Sequence, residues 1–224
     1  LIASIPVSNS PRGMSLSKNK NTLFVTHFSS GEISVIDTAE LSVIKTISLG
    51  SRAGLTQAFV IDEGEAVAYV PNTMRNSDNK NLIFDNTVFP FVSIIDLNEL
   101  IHLRGERIAL DIIDKPVGMP LEAALQNSIL YVANAASNDL TIIDLKSKKA
   151  LAHVEVGSFP NGVDISESGR EIYIHNSLDG TISVVDTEAF IVSSVIESTL
   201  ISASSAVLNG QKLFHSSDDT RMSK

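Results

Sequence analysis

The chain contains no cysteine. Disulfides and thiolate metal sites are therefore excluded within it, as is a covalently held c-type haem, which needs paired cysteines. No apolar run approaches the roughly 18 residues that a membrane-crossing helix requires. Positive charge is scarce: 17 Lys and Arg stand against 26 Asp and Glu, for a net charge of −9 and a pI near 5.0. A nucleic-acid backbone or an anionic membrane would repel such a chain. No P-loop, G-x-S-x-G or H-E-x-x-H motif occurs. No signal peptide stands at the start. The chain opens on Leu1 rather than Met, which leaves room for an upstream segment and for export. Of its 224 residues 43% are hydrophobic, enough to build a sizeable core in one large domain or two small ones.

The residues that are there repeat. LFVTHFSSGEISVID (23–37), LYVANAASNDLTIID (130–144) and IYIHNSLDGTISVVD (172–186) share one pattern, with ten residues from the fifth position to the closing aspartate. A fourth copy runs from AYVPN (68–72) to FVSIID (91–96), with 14 extra residues between its halves. A fifth starts at LFHSS (213–217). The closing aspartates Asp37, Asp96, Asp144 and Asp186 lie 59, 48 and 42 residues apart. A segment such as SPRGMSLS (10–17) or FPNGVDIS (159–166) precedes a copy, and a run such as VIKTISLG (43–50) follows one. Each period thus holds four short extended segments rich in Val, Ile and Thr, broken by the Asn, Asp, Gly and Ser that turn a chain. DEGEA (62–66) and SESGRE (166–171) are expected to be tight hairpins with Gly at positive φ. Four antiparallel strands per period of about 40 residues make a β-propeller blade. Apolar residues at successive positions, as in TIID, suit strands covered on both faces.

LYVAN followed by TIID, with the preceding GSFPNG (157–162), resembles the YVTN-type β-propeller repeat of bacterial and archaeal surface or exported proteins. The resemblance covers nearly the whole chain. It implies an all-β propeller and a periplasmic, secreted or cell-surface location, and leaves the task open, since one propeller scaffold serves many. Blades are expected at 8–49, 50–112, 113–156 and 157–197. Residues 1–7 would be a leading outer strand, and 198–224 a partial blade with strands at 202–207 and 211–216. These make about five blades' worth. That count favours part of a larger ring, seven-bladed most often in this family, over a five-bladed ring closed by the two ends. The tail, KLFHSSDDTRMSK, resembles a stretch in exported proteins that fuse such a propeller to a cytochrome-c-like peroxidase domain. It implies a haem in a downstream domain; no cofactor is expected within the chain itself.

Site candidates divide by how often they recur. Asp37, Asp96, Asp144 and Asp186 end the third strand of each blade. Four copies suit a structural turn in which a short carboxylate accepts from the next backbone N–H groups. Asn72, Asn134 and Asn176, at second-strand ends, are expected to do similar turn work. His27, His175 and His215 sit at different offsets in different copies, which argues against a converging metal site. His102 and His153 are expected in solvent. Pairs such as Asp62–Glu63 and Asp218–Asp219 lie in turns or tail, and no catalytic constellation emerges. Asn76, Asp78 and Asn79 lack the glycine and distant glutamate of a calcium loop. The insertion MRNSDNKNLIFDNTVFP (74–90) carries Phe84 and Phe89, with Phe91 just after it. Loops after second and fourth strands share one propeller face, and long loops on a rigid scaffold often bind. Ligand contacts are therefore expected from Arg12, Arg52, Phe84, Phe89 and Phe159, toward a protein or glycan. Open blade edges would also allow self-association.

Overall fold

The extended segments pair in chain order, as short turns between antiparallel strands demand. The computed structural model describes residues 2–76, 88–110, 116–198 and 203–216. Two units, Leu1–Ala109 and Leu110–Lys224, each hold two sheets.

In the first unit, β1 (Pro11–Leu16), β2 (Thr22–His27), β3 (Glu32–Asp37) and β4 (Ser42–Ser48) form one four-stranded meander. The second sheet is built on β7 (Val67–Arg75) and β8 (Val88–Asp96). Its first strand is split into β5 (Ala53–Gly54) and β6 (Val60–Asp62), both paired with β7. Its last strand is split into β9 (Ile101–His102) and β10 (Ile108–Ala109), both paired with β8. The sequence pattern suggests single strands at 56–61 and 106–112; in the structure Leu55, at φ +56°, follows β5, and pairing resumes only at Val60. The polar run Arg104–Gly105–Glu106–Arg107 separates β9 from β10, with Glu106 N–H donating to the Leu103 carbonyl. Phe24, Ile33, Val35 and Ile47 meet Phe59, Ala68, Val70 and Ile95 in one core cluster, with the Phe24 and Phe59 rings stacked at 4.5 Å. Each Val, Ile or Phe among them, fully buried, contributes about 1.5–3 kcal/mol.

The second unit repeats the plan twice. β11 (Pro120–Gln126), β12 (Ile129–Asn134), β13 (Asp139–Asp144) and β14 (Lys149–Glu155) make one sheet. β15 (Pro160–Ile165), β16 (Glu171–Asn176), β17 (Thr181–Asp186) and β18 (Ile191–Glu197) make the other. Tyr131, Leu140, Ile142, Ile172, Ile174 and Val185 form the core cluster that joins them.

Two expectations fail at the periphery. Residues 2–7 belong to no sheet. The strands expected at 202–207 and 211–216 are instead one helix, α1 (Ser205–His215). Ser204 caps it, its Oγ accepting from Val207 N–H. Leu208, Gln211, Lys212 and Leu213 are good helix formers, and Lys212 and His215 in the last turn oppose the negative end of the helix dipole. The hairpin at 62–66 also differs in detail: positive φ falls on Ala66 (+52°), not on Gly64.

Candidate functional site

Several of the polar positions that recur in the sequence are occupied by the fold itself. Asp37 Oδ1 accepts from Ala39 and Glu40 N–H, and Asp96 Oδ1 from Asn98 and Glu99 N–H, all at 2.8 Å. Asp186 Oδ1 accepts from Glu188 and Ala189 N–H, which hold its carboxyl below the usual value. In Asp144 the Ser147 hydroxyl and Lys146 N–H do the same. Four residues after each aspartate stands a non-glycine at positive φ: Leu41, Leu100, Lys148 and Phe190, at +51° to +57°.

The second-strand ends do different work from that expected of them. Asn72, Asn134 and Asn176 are buried and bridge across to the third strand, bonding Ser93, Thr141 and Ser183 respectively. His27 takes the same place in the first sheet, with Nε2 2.8 Å from Ser34 Oγ and Nδ1 3.2 Å from the Asn9 carbonyl. The signal was present: a Ser or Thr stands seven residues on in the three uninterrupted copies. Two histidines expected in solvent are not there. His153 is fully enclosed, 3.6 Å from Asp139, because β14 folds its side chain against β13. Both ring nitrogens of His102 are shielded from solvent. His175 lies exposed beside Asn161 Oδ1. Among the described residues no three His, Asp or Glu gather to hold a metal.

A cleft of about 410 Å³ opens where loops of the second unit meet α1. Asn138 and Leu178 come from turns after second strands, Ser158 and Phe159 from the loop between β14 and β15, and Lys212 and His215 from the helix. The loops are bound to one another. Phe159 N–H donates to Asn138 Oδ1 at 2.9 Å, and its carbonyl accepts from Ser177. Asp179 accepts from Ser158 N–H and from Lys212 Nζ. Burial is the largest single influence on that carboxyl and pushes its pKa up, but Lys212 and Ser158 together hold it below the usual value. The Phe159 ring sits 4.6 Å from that of His215, which meets Phe214 edge-on. No residue of α1 is buried, and Phe214 is 78% exposed.

The residues expected to contact a ligand divide between the two units. Arg12, Arg52 and Phe89 belong to the first unit and Phe159 to the second. Arg12 is exposed, hydrogen-bonded to Gln57 and 5.7 Å from the Phe28 ring centre. Arg52 donates to Asn76 Oδ1 at 3.2 Å and lines a separate basic cleft. Phe89 is half-buried opposite Met74 in the β7–β8 ladder. Phe84, Asp78, Asn79 and the tail from 217 lie outside the described residues. Sequence reasoning did not single out Asn138, Asp179 or Lys212, because their roles depend on a helix it read as strand.

The sequence matches no family model and no curated protein. Solved structures are similar. Hydrazine synthase of Kuenenia stuttgartiensis aligns with TM-score 0.55 and 16% identity over 83% of this chain and 74% of its own. Dihydro-heme d1 dehydrogenase NirN, in complex with DHE, gives 0.58 and 14% over 87% of this chain and 39% of its own. A chain of the nidogen/laminin complex gives 0.60 and 16% over 84% and 64%. The fold is a β-propeller. Its four-stranded sheets are the blades, and identities this low speak for fold alone.

Proposed function

We propose that this propeller is a non-catalytic binding or assembly module of YVTN type in an exported or cell-surface protein. Its ligand, a protein or glycan, would dock on the loop face of the second unit. The supporting observation is the cleft under α1, where the aromatic Phe159 meets polar groups from two loops, Asn138 and Ser158, and from the helix, Lys212 and His215. Concave, partly apolar sites with a few fixed polar groups are the usual form of a ligand pocket. The likeness to a chain of the nidogen/laminin complex accords with protein binding as a task for the scaffold. Outer strand β18, which exposes Ile191, Val195 and Ile196, offers a second, self-associating surface. The test is capture on a glycan array and on immobilised extracellular-matrix proteins, comparing the parent with Phe159→Ala. Loss of capture by about tenfold, with an unchanged far-UV spectrum, supports the reading; equal capture by both overturns it.

A second reading makes the chain the propeller portion of a haem-dependent oxidoreductase. The likeness to NirN in complex with DHE and the DDTRMSK tail favour it. With no cysteine in the chain, covalent haem attachment would fall to a separate, downstream domain. A C-x-x-C-H motif in the coding sequence beyond Lys224 would support this reading, and its absence there would remove it.

A further inference from the structure

The first unit holds a cleft of about 400 Å³ lined by Arg52, His102, Arg104 and Arg107, with Ser51 beside them. In a chain of net charge −9 this concentration of arginines stands apart. No Asp or Glu is among the lining residues.

Each basic group is placed by its element. Arg104 and Arg107 flank the loop that splits the last strand of the second blade, and His102 ends β9. Arg107 is pre-set: its guanidinium lies 4.5 Å over the Phe91 ring, and one Nη donates to the Met74 sulfur at 3.1 Å. A thioether is a weak acceptor, so the strong donors of the fork stay available. Neither Arg104 nor Arg107 is paired with a carboxylate among the described residues. Both ring nitrogens of His102 are enclosed without a hydrogen-bond partner there, which is costly unless a polar group meets them. Burial, then Arg104, then Arg107 lower the pKa of His102. Glu106, in the same loop, adds to the rise in the Tyr69 phenol pKa, after burial, Asp62 and Glu65. The opposite wall, Gly50 and Ser51, adds little bulk: no atom lies within 4 Å of where a Gly50 side chain would start.

We propose that this cleft binds an oxyanion-bearing small molecule, with Arg104 and Arg107 gripping its oxygens, Arg52 at the side and the His102 ring packed beneath them. Planar guanidinium forks match carboxylate, phosphate and sulfate geometry, and charge-assisted hydrogen bonds are the strong ones. The site is distinct from the cleft under α1 and does not depend on the function proposed for that face.

Titration calorimetry at fixed ionic strength, with phosphate, sulfate and citrate each replacing chloride, tests the idea. One saturable site at about 1 mM or tighter is expected. Tighter phosphate or sulfate binding identifies a tetrahedral anion, and tighter citrate binding a polycarboxylate. Arg104→Gln with Arg107→Gln should weaken binding about tenfold or more, while Arg170→Gln, an exposed change in the second unit, should not. The His102 imidazole resonance, assigned through His102→Gln, should move on titration and that of His175 should stay. Absence of saturable binding with all three anions, or parent-like binding by the double arginine variant, overturns the proposal.

Discussion

A carboxylate directly before a turn, and an αL residue four positions after it, recur in all four blades. The two constraints act together, since the aspartate holds the N–H groups that enter the turn and the αL residue reverses the chain into the next strand. Asp37→Ala removes two such acceptor contacts, and a loss of about 1 kcal/mol, comparable to losing a helix cap, is expected from urea unfolding. Lys148 is exposed and sits at φ +53°, a conformation glycine adopts freely. Lys148→Gly should therefore leave stability unchanged or raise it by up to about 1 kcal/mol, despite the usual entropic penalty of glycine. The Asp144 and Asp186 carboxyls are held below the usual value of about 3.8, so their contribution is whole above it and fades as pH falls through the folded values. Asp144→Asn with Asp186→Asn should flatten the stability-versus-pH curve below 3.8, read by thermal unfolding. The aspartates could be placed from sequence because the same letter returned in the same spot. Asn72, Asn134 and Asn176 were misassigned to turns because burial is set by the neighbouring strand, and only the Ser or Thr opposite them reveals the bridge.

At the scale of elements, strands announce themselves through β-branched runs of fixed length, and the second and third strands form at the repeat copies, with the β7–β8 ladder running on into the insertion. The split outer strand of the second blade was not legible, because Arg104–Arg107 interrupts a run whose flanks still look extended. Helix α1 was misread because LFHSS mimics LFVTH, while the deciding feature, the Ser204 cap, lies nine residues earlier. Eleven residues make a marginal helix alone, so α1 depends on its anchors. Lys212→Met should speed amide exchange within 205–215 by roughly threefold to tenfold and leave β16 and β17 unchanged, a modest effect since the Lys212–Asp179 pair is partly exposed. The carboxyl of Asp179 is depressed, so acidification below pH 3.8 should release the helix in the parent as the folded pKa is crossed.

At the scale of the molecule, the repeat gave the blade architecture, and the site depended on where irregular segments settle, which no period encodes. The enclosed Asp139, bonded by Asn134 and Ser137 and facing His153, anchors the third blade. Asp139→Ala should cost about 3 kcal/mol or more in denaturant unfolding, since its partners would be stranded without water. Exposed Ile191, Val195 and Ile196 on β18 should drive concentration-dependent association in sedimentation velocity, and Val195→Lys should suppress it. The β7–β8 ladder has a further consequence. Thr73 with Pro90, Met74 with Phe89 and Arg75 with Val88 carry its pairing past the length of the other blades. The chain positions at Arg75 and Val88 are thereby clamped side by side. Foreign sequence spliced between them would inherit a fixed doorway, which makes this pair the natural port for grafting new specificities onto the scaffold.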